Sequence, residues 1–294
     1  VNPRFDLQAH STSSDGALAP AEVVQRAARA GVELLALSDH DTIGGVAEAI
    51  AAGEREGVRV VPAVEISAID VDGERELHIL GYLVDHASPA FEATLARFLA
   101  DREQRTLRMA AALRELGLEL DDRELIDRQA RGLPIGRPHL AEAVLAHPAN
   151  ARRLAADRVE DIGSMIRAYL VEGRPAFRLR QTPTVAEAID AIHAAGGVAV
   201  WAHPFWDISA PDGVLGSLDR FHAMGIDGVE AFYITHTREQ TELLAARASE
   251  LGLLTTGSAD FHGPDNRQFS RFLAFDTYGL EANLGPIAAP AASR

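Results

Sequence analysis

The chain has 294 residues, 47% of them hydrophobic, enough to bury one large core or two modest ones. Its 43 acidic residues outweigh 28 basic ones for a formal charge of −15, which excludes a broad basic face for coating duplex nucleic acid. Cys and Lys are both absent, so disulfides, thiolate nucleophiles, Schiff bases and a P-loop lysine are excluded, and any metal must be held by imidazole, carboxylate or amide oxygen.

Taken in order, Phe5 to His10 alternates like a short strand and runs into Ser14-Asp15-Gly16, a turn signal that places His10 and Asp15 at a strand's end. Ala17 to Ala30 reads as an amphipathic helix closed by Gly31. Leu34 to Leu37 is the second strand, and it stops at Ser38-Asp39-His40-Asp41, which is also rich in helix-capping residues. Ala47 to Glu56 is the next helix, and Val58 to Val64 the third strand, ending at Glu65. A glutamate there is costly to bury unless paired or metal-bound, so Glu65 is a candidate bridge between two ions, with a surface Glu as the alternative. Ile66 to Asp72, a turn at Gly73, and Glu76 to Val84 read as a hairpin whose second limb carries His78, a ligand candidate or a core histidine.

From about residue 89 to 176 the strand pattern gives way to helical composition: Ala90 to Leu116, Asp122 to Ala130 and Ala151 to Leu170. This stretch holds 14 Arg against 14 acidic residues, so the remainder carries the whole net charge. It is expected to be a helical insertion capping a barrel formed by 1–88 and 177–294. Within it Gly136-Arg137-Pro138-His139 breaks the helical pattern ahead of a helix from Leu140 to Ala146, or serves as that helix's N-cap region with a Pro at its start. Alternation of strand and helix resumes with a capping box at Thr184 to Glu187. The strand Val198 to Ala202 then delivers His203, Ile226 to Tyr233 leads to His236, and Leu253 to Ser258 leads to Asp260 and His262. Arg271 to Thr277 reads as a closing strand, and the tail after Gly285 as disordered or loosely docked. No apolar run reaches the roughly 20 residues of a membrane span and no basic-then-apolar leader opens the chain, so a soluble, cytoplasmic protein without a membrane partner is expected.

Five short strands thus stop at His, Asp-x-His or Glu, which suggests a site assembled from strand ends. The ordered motifs Asp6-Leu7-Gln8-Ala9-His10-Ser11, Ser14-Asp15-Gly16, Ser38-Asp39-His40-Asp41, Val64-Glu65-Ile66-Ser67, His78-Ile79-Leu80-Gly81, Gly136-Arg137-Pro138-His139, Ala202-His203-Pro204 and Ser258-x-Asp260-Phe261-His262 resemble the PHP (polymerase and histidinol phosphatase) family of metal-dependent phosphoesterases. The likeness is to its stand-alone branch of nucleotide phosphatases and exonucleases. It implies an α/β fold, a distorted (β/α)7-type barrel with a helical insertion domain, and two or three divalent cations, Mn, Zn or Fe(II).

The resemblance also sorts the ligands. Gln8, His10, Glu65 and Asp260 would hold a first ion, Asp15, His40 and His262 a second, and Glu65, His78 and His203 a third, with Asp15, His40, Glu65 and Asp260 carrying the catalysis. The family usually has His where this chain has Gln8, a weaker neutral ligand, which puts full occupancy of the cluster in doubt. Arg137 would grip substrate phosphate through its planar guanidinium, His139 would bond a phosphate or protonate a leaving oxygen, and His236 is a weaker substrate candidate. The expected substrate is a small phosphorylated molecule: a nucleoside 3′,5′-bisphosphate, or short 5′-phosphorylated RNA or DNA. Histidinol phosphate is the rival substrate, and a catalytically weak nucleotide- or metal-binding module the rival from another class. An amidohydrolase barrel usually bridges its metals with a lysine, and none is present.

Overall fold

The computed structural model describes residues 4–72, 75–133, 135–179 and 183–289. By their internal contacts the chain divides into two compact units, Val1–Leu95 with Pro183–Arg294, and Ala96–Thr182. The break falls within one long helix, Pro89–Glu115, several residues beyond the boundary at 88 expected from composition.

The first unit is a seven-stranded sheet in the order β1 (Phe5–Asp6), β2 (Leu34–Leu37), β3 (Arg59–Asp70), β4 (Arg75–Tyr82), β5 (Val198–Trp201), β6 (Gly228–Tyr233) and β7 (Leu254–Ser258). Every neighbouring pair is parallel except β3–β4 and β4–β5. The ends meet: the Leu7 amide donates to the Gly257 carbonyl, and Ala9 bridges Phe261 as both chains leave their strands. These contacts nearly close the sheet into a barrel and leave little edge for another strand. The expected extra strand at Arg271 to Thr277 is accordingly absent; that segment is held as a loop, with the Leu273 amide donating to the buried Asp6 carboxylate.

Parallel neighbours are joined by the helices α1 (Pro20–Ala30), α2 (Val46–Glu56), α10 (Pro211–Ala223) and α11 (Arg238–Leu251), and a further helix, α8 (Val185–Ala194), leads into β5. One side of α1 buries Val23, Val24 and Ala27 against Leu35, Leu37 and the α2 residues Ala49 and Ala52, and Gly31 ends the helix with φ of 83°. Thr184 caps α8 as the sequence spelled it, its hydroxyl accepting from the Glu187 amide. A four-residue helix, α9 (Pro204–Asp207), follows β5 directly.

Two expectations need correction. The third strand does not stop at Glu65 but runs on to Asp70, because its partner changes midway: Leu34 to Leu37 pair with Arg59 to Pro62, and β4 pairs with Ala63 to Asp70. The turn assigned to Gly73 lies outside the described residues. The C-terminal segment, at least to Ala289, is docked: Ile287 is fully buried, and the Arg59 guanidinium donates to the carbonyls of Ile287, Ala288 and Ala289.

The second unit is helical. It contains most of α3 (Pro89–Glu115) with α4 (Arg123–Ala130), α5 (Arg137–Ala146), α6 (Ala151–Ala156) and α7 (Ile162–Met165). Met109, Leu113, Leu118, Leu140, Val144, Met165 and Leu170 make its core. The stretch of helical composition from Ala151 to Leu170 is not one helix: it breaks after Ala156, where Arg158 takes φ of 57° and Asp161 starts a new helix by accepting from the Ser164 amide. The Gly-Arg-Pro-His motif opens the helix expected from Leu140, as the N-cap alternative has it, and that helix starts at Arg137 rather than Leu140. Gly136 is the N-cap, Arg137 and Pro138 begin the first turn, and His139 Nδ1 accepts the Gly136 amide proton at 3.1 Å. Among the described residues no helix is long and apolar enough to cross a membrane.

Candidate metal centre

The stretches that follow β1, β2, β5 and β7, with the middle of β3 and β4, bring their polar side chains to one end of the barrel. Backbone bonds set the loops. The His10 amide donates to the Phe261 carbonyl, the Ser38 amide to the Ala9 carbonyl, and the Asp41 amide to the Glu65 carbonyl, while His40 bridges Glu65. Gly16 completes the first loop: a Cβ there would lie 2.2 Å from the His10 carbonyl oxygen, so only glycine allows the turn to close on that strand.

Glu65 stands at the centre. It lies mid-strand, on the face shared with Ala63 and Ser67, and is buried. Its Oε1 is 2.6 Å from His78 Nδ1 and 3.1 Å from His203 Nε2. Its Oε2 is 3.0 Å from His10 Nε2 and 3.6 Å from His40 Nδ1. Asp260 Oδ1 lies 3.1 Å from His10 Nε2, and Asp15 lies 3.6–3.7 Å from ring nitrogens of His10, His40 and His262. Three overlapping groups therefore offer ligand atoms within 4.8 Å of one another: His10, Asp15, His40 and His262; His40, Glu65 and His78; and His10, Glu65 and Asp260.

The spacing fits divalent cations. Ligand atoms about 2.1 Å from a shared ion lie roughly 3.0–3.5 Å from one another in octahedral or tetrahedral arrangements, close to the separations seen here. Hydrogen bonding alone leaves the cluster unsatisfied: His10 is fully buried, yet neither of its ring nitrogens meets a partner in hydrogen-bond geometry, and neither does Asp260 Oδ1.

Supporting groups fix the ligands' orientation. His262 Nδ1 donates to the Asp260 carbonyl at 2.8 Å, which leaves its Nε2 lone pair facing Asp15. The Tyr233 hydroxyl donates to Asp260 Oδ2 at 2.8 Å. Glu230 accepts the His203 amide at 2.9 Å and the Ser258 hydroxyl at 2.6 Å. Asp39 accepts three bonds from the first loop: the Ser11 amide, the Ser11 hydroxyl and the Ser14 hydroxyl, at 2.7, 2.7 and 2.6 Å. Asp41, His203 and Asp260 take φ of 54°, 28° and 52°, a region that costs a non-glycine residue about 1–3 kcal/mol and persists where surrounding bonds enforce it.

The electrostatics follow from crowding of both charge types in a dry site. Burial acts to raise the Glu65 pKa, but the His40 and His78 imidazoles, with His10 and His203, hold it well below the ordinary range. Burial acts to lower His203, yet Glu65 lifts it to about 10. Glu230 faces no such excess of cations, and burial pushes it up to about 8.

Of the residues singled out in the sequence, His10, Asp15, His40, Glu65, His78, His203, Asp260 and His262 come together. Gln8 reaches the same cluster, but its Nε2 donates to Glu65 Oε2 at 3.0 Å while its Oε1 faces the Ser258 hydroxyl at 3.3 Å. Its amide oxygen is therefore turned away from Glu65. His236 is buried on the first unit, its Nδ1 donating to the Ala231 carbonyl at 3.1 Å. Arg137 and His139 belong to the second unit. Sequence reasoning missed Tyr233, Glu230, Ser258 and the role of Asp39. Asp39 and Ser258 had a signal, their places in Ser-Asp-His-Asp and Ser-x-Asp-Phe-His.

A family model described as the PHP domain matches residues 6–128. A 5′-3′ exoribonuclease of Haemophilus influenzae is 35% identical over 265 residues, 90% of this chain and 92% of its own. A 3′,5′-nucleoside bisphosphate phosphatase of Chromobacterium violaceum is 34% identical over 88% of this chain and 87% of its own. Among solved structures, an amidohydrolase from Chromobacterium violaceum with bound sulfate and no metal matches with a TM-score of 0.77 at 32% identity, covering 92% of this chain and 90% of that one.

Proposed function

The chain belongs to the PHP family of metal-dependent phosphoesterases, and from that premise we propose that the cup around Glu65 hydrolyses phosphate esters of nucleotides. The substrates proposed are nucleoside 3′,5′-bisphosphates and short 5′-phosphorylated oligonucleotides, in keeping with what two relatives are named for. The observation that carries this reading is the convergence of four imidazoles on the two oxygens of one buried glutamate.

We assign two or three divalent cations, Mn, Zn or Fe(II), to this cup. Asp15, His40 and His262 would hold one, His10, Glu65 and Asp260 another, and Glu65, His78 and His203 a third. When bound, such cations supply Lewis acidity toward phosphoryl oxygens and lower the pKa of water at neutral pH.

The chain's own groups set the rest. Glu65 presents one oxygen to His78 and His203 and the other to His10, so it is the natural bridge. Tyr233 holds Asp260 by one oxygen and leaves Oδ1 for the cup. Gln8 serves as a ligand through its oxygen only after a half-turn of its amide; its NH2 would then donate to Ser258, whose own proton goes to Glu230. On the second unit, Arg137 carries the planar donor fork suited to phosphate. His139, with Nδ1 accepting from Gly136, keeps Nε2 as its proton-bearing nitrogen; we propose both as substrate contacts. The helical unit is proposed as the substrate-admitting cap.

The test is a set of turnover assays on Mn-loaded protein with adenosine 3′,5′-bisphosphate, a short 5′-phosphorylated RNA and histidinol phosphate. Phosphate or nucleotide release from either of the first two, lost in Asp15→Ala, supports the reading. Turnover of histidinol phosphate alone would reassign the substrate, and nucleotide binding without release under any added metal would mark a binding module.

A further inference from the structure

One side of the cup is aromatic. Beyond the ligands His203 and His262, Tyr233 and Phe269 stand 5.2 and 5.6 Å away, ring centre to ring centre. Both meet Trp206, Phe269 at 5.6 Å and Tyr233 at 6.5 Å. Trp206 is carried on α9, three residues after His203, so its position is tied to that of a ligand.

The exposures are graded outward. Tyr233 is buried with its hydroxyl on Asp260, Phe269 is half-buried, and Trp206 is 51% exposed. Among the described residues Trp206 is the one exposed large aromatic, whereas the other tryptophan, Trp201, is fully buried. Packing alone gives no reason for an indole to stand in water at the rim of a charged cup. An apolar plane beside phosphate-binding chemistry suits a ligand that is anionic at one end and flat and apolar at the other.

We propose that Trp206, flanked by Phe269 and Tyr233, is a stacking shelf for the base of a nucleotide whose phosphate lies in the cup. This rests on the phosphoesterase reading and extends it to how the substrate's base is held. Every base has a π-face, so a shelf of this kind grips bases with little regard to which one is present. The enzyme then distinguishes nucleotides from base-free phosphate esters far more than adenine from uracil.

Two measurements test it. The first compares kcat/KM for adenosine 3′,5′-bisphosphate with that for the corresponding base-free ribose bisphosphate, in wild type, Trp206→Ala and Trp206→Phe. Loss of one stacking contact is expected to cut the preference for the nucleotide about 5- to 150-fold in the Ala variant, and Phe, which keeps an aromatic face, restores most of it. A preference that moves less than twofold overturns the shelf, and an equal loss on both substrates assigns Trp206 to packing instead. The second titrates intrinsic fluorescence with adenosine 5′-monophosphate and, separately, ribose 5-phosphate. Quenching by the nucleotide alone, absent in Trp206→Phe, is expected; equal response to both ligands, or none, refutes the proposal. The fluorescence result stands whether or not either ester is hydrolysed, so it fails separately from the phosphoesterase reading.

Discussion

Asp39 is the sharpest place to test how the cup is built. Its carboxylate is buried and accepts the Ser11 amide, the Ser11 hydroxyl and the Ser14 hydroxyl, all at 2.6–2.7 Å, so it ties the loop bearing His10 and Asp15 to the strand that delivers His40. Burial acts to raise its pKa, and His10 and the three donors act against that. Asp39→Ala removes the acceptor for three buried donors at about 1–3 kcal/mol each; because hydroxyls turn to other acceptors, the sum expected is about 3–5 kcal/mol. Asp39→Asn keeps one acceptor oxygen for the Ser11 amide and Ser14, and the Ser11 hydroxyl can turn to accept from the new NH2. Its cost is about 1 kcal/mol. For a chain of this size these become melting shifts of about 6–10 °C and about 2 °C. Circular dichroism melts of the metal-free variants read them directly, and titration with Mn is expected to show a 10- to 100-fold weaker affinity in the Ala variant. If Ala melts within 2 °C of wild type, or Asn is as damaging as Ala, the three bonds do not hold the loop and the reasoning fails.

Glu65→Gln keeps the shape but removes the charge shared by four imidazoles. Breaking a buried charged partnership of about 3–5 kcal/mol weakens cation binding by about two to four orders of magnitude; calorimetry showing wild-type affinity would contradict the bridging role. Chelation should lower the melting temperature and added Mn or Zn restore it, by about 2.7 kcal/mol per site at a cation concentration 100-fold above Kd, or roughly 5 °C, as scanning fluorimetry would show. A melting temperature indifferent to chelator would count against any cation in the cup. Burial, opposed by the bond to the Ala231 carbonyl, holds His236 down to about 4. Between about pH 6.5 and 4 the unfolded chain therefore binds a proton that the folded chain does not. The stability this residue supplies is whole above 6.5 and falls away, by about 3 kcal/mol in all, as pH drops through 4. In denaturant titrations His236→Gln should flatten that acid slope relative to wild type; parallel curves would refute the assignment.

Much of the site was legible because strand ends leave a local mark: an apolar run that halts at His or Asp-x-His is visible without knowing what it faces. Glu65 was found for the right side chain and the wrong backbone. Its apolar strand seemed to end there because a buried acid interrupts the run, while the alternation of Ala63, Glu65 and Ser67 on one face continues through it. Supports such as Ser258 to Gln8, 250 positions apart, have no local trace, since barrel closure alone brings them together. The extra strand predicted at Arg271 to Thr277 failed for the same reason: the composition suits a strand, but β7 already has β1 beside it. The tail was read as loose because Ala and Pro carry no pattern, yet Arg59, more than two hundred residues earlier, collects its carbonyls.

Anomalous diffraction from crystals grown with Mn tests the central claim most directly. Peaks about 2.0–2.3 Å from both Glu65 oxygens, one shared with His78 and His203 and another with His10 and Asp260, are the predicted result. Density free of cations at Glu65 in a preparation that still hydrolyses nucleotides would contradict it.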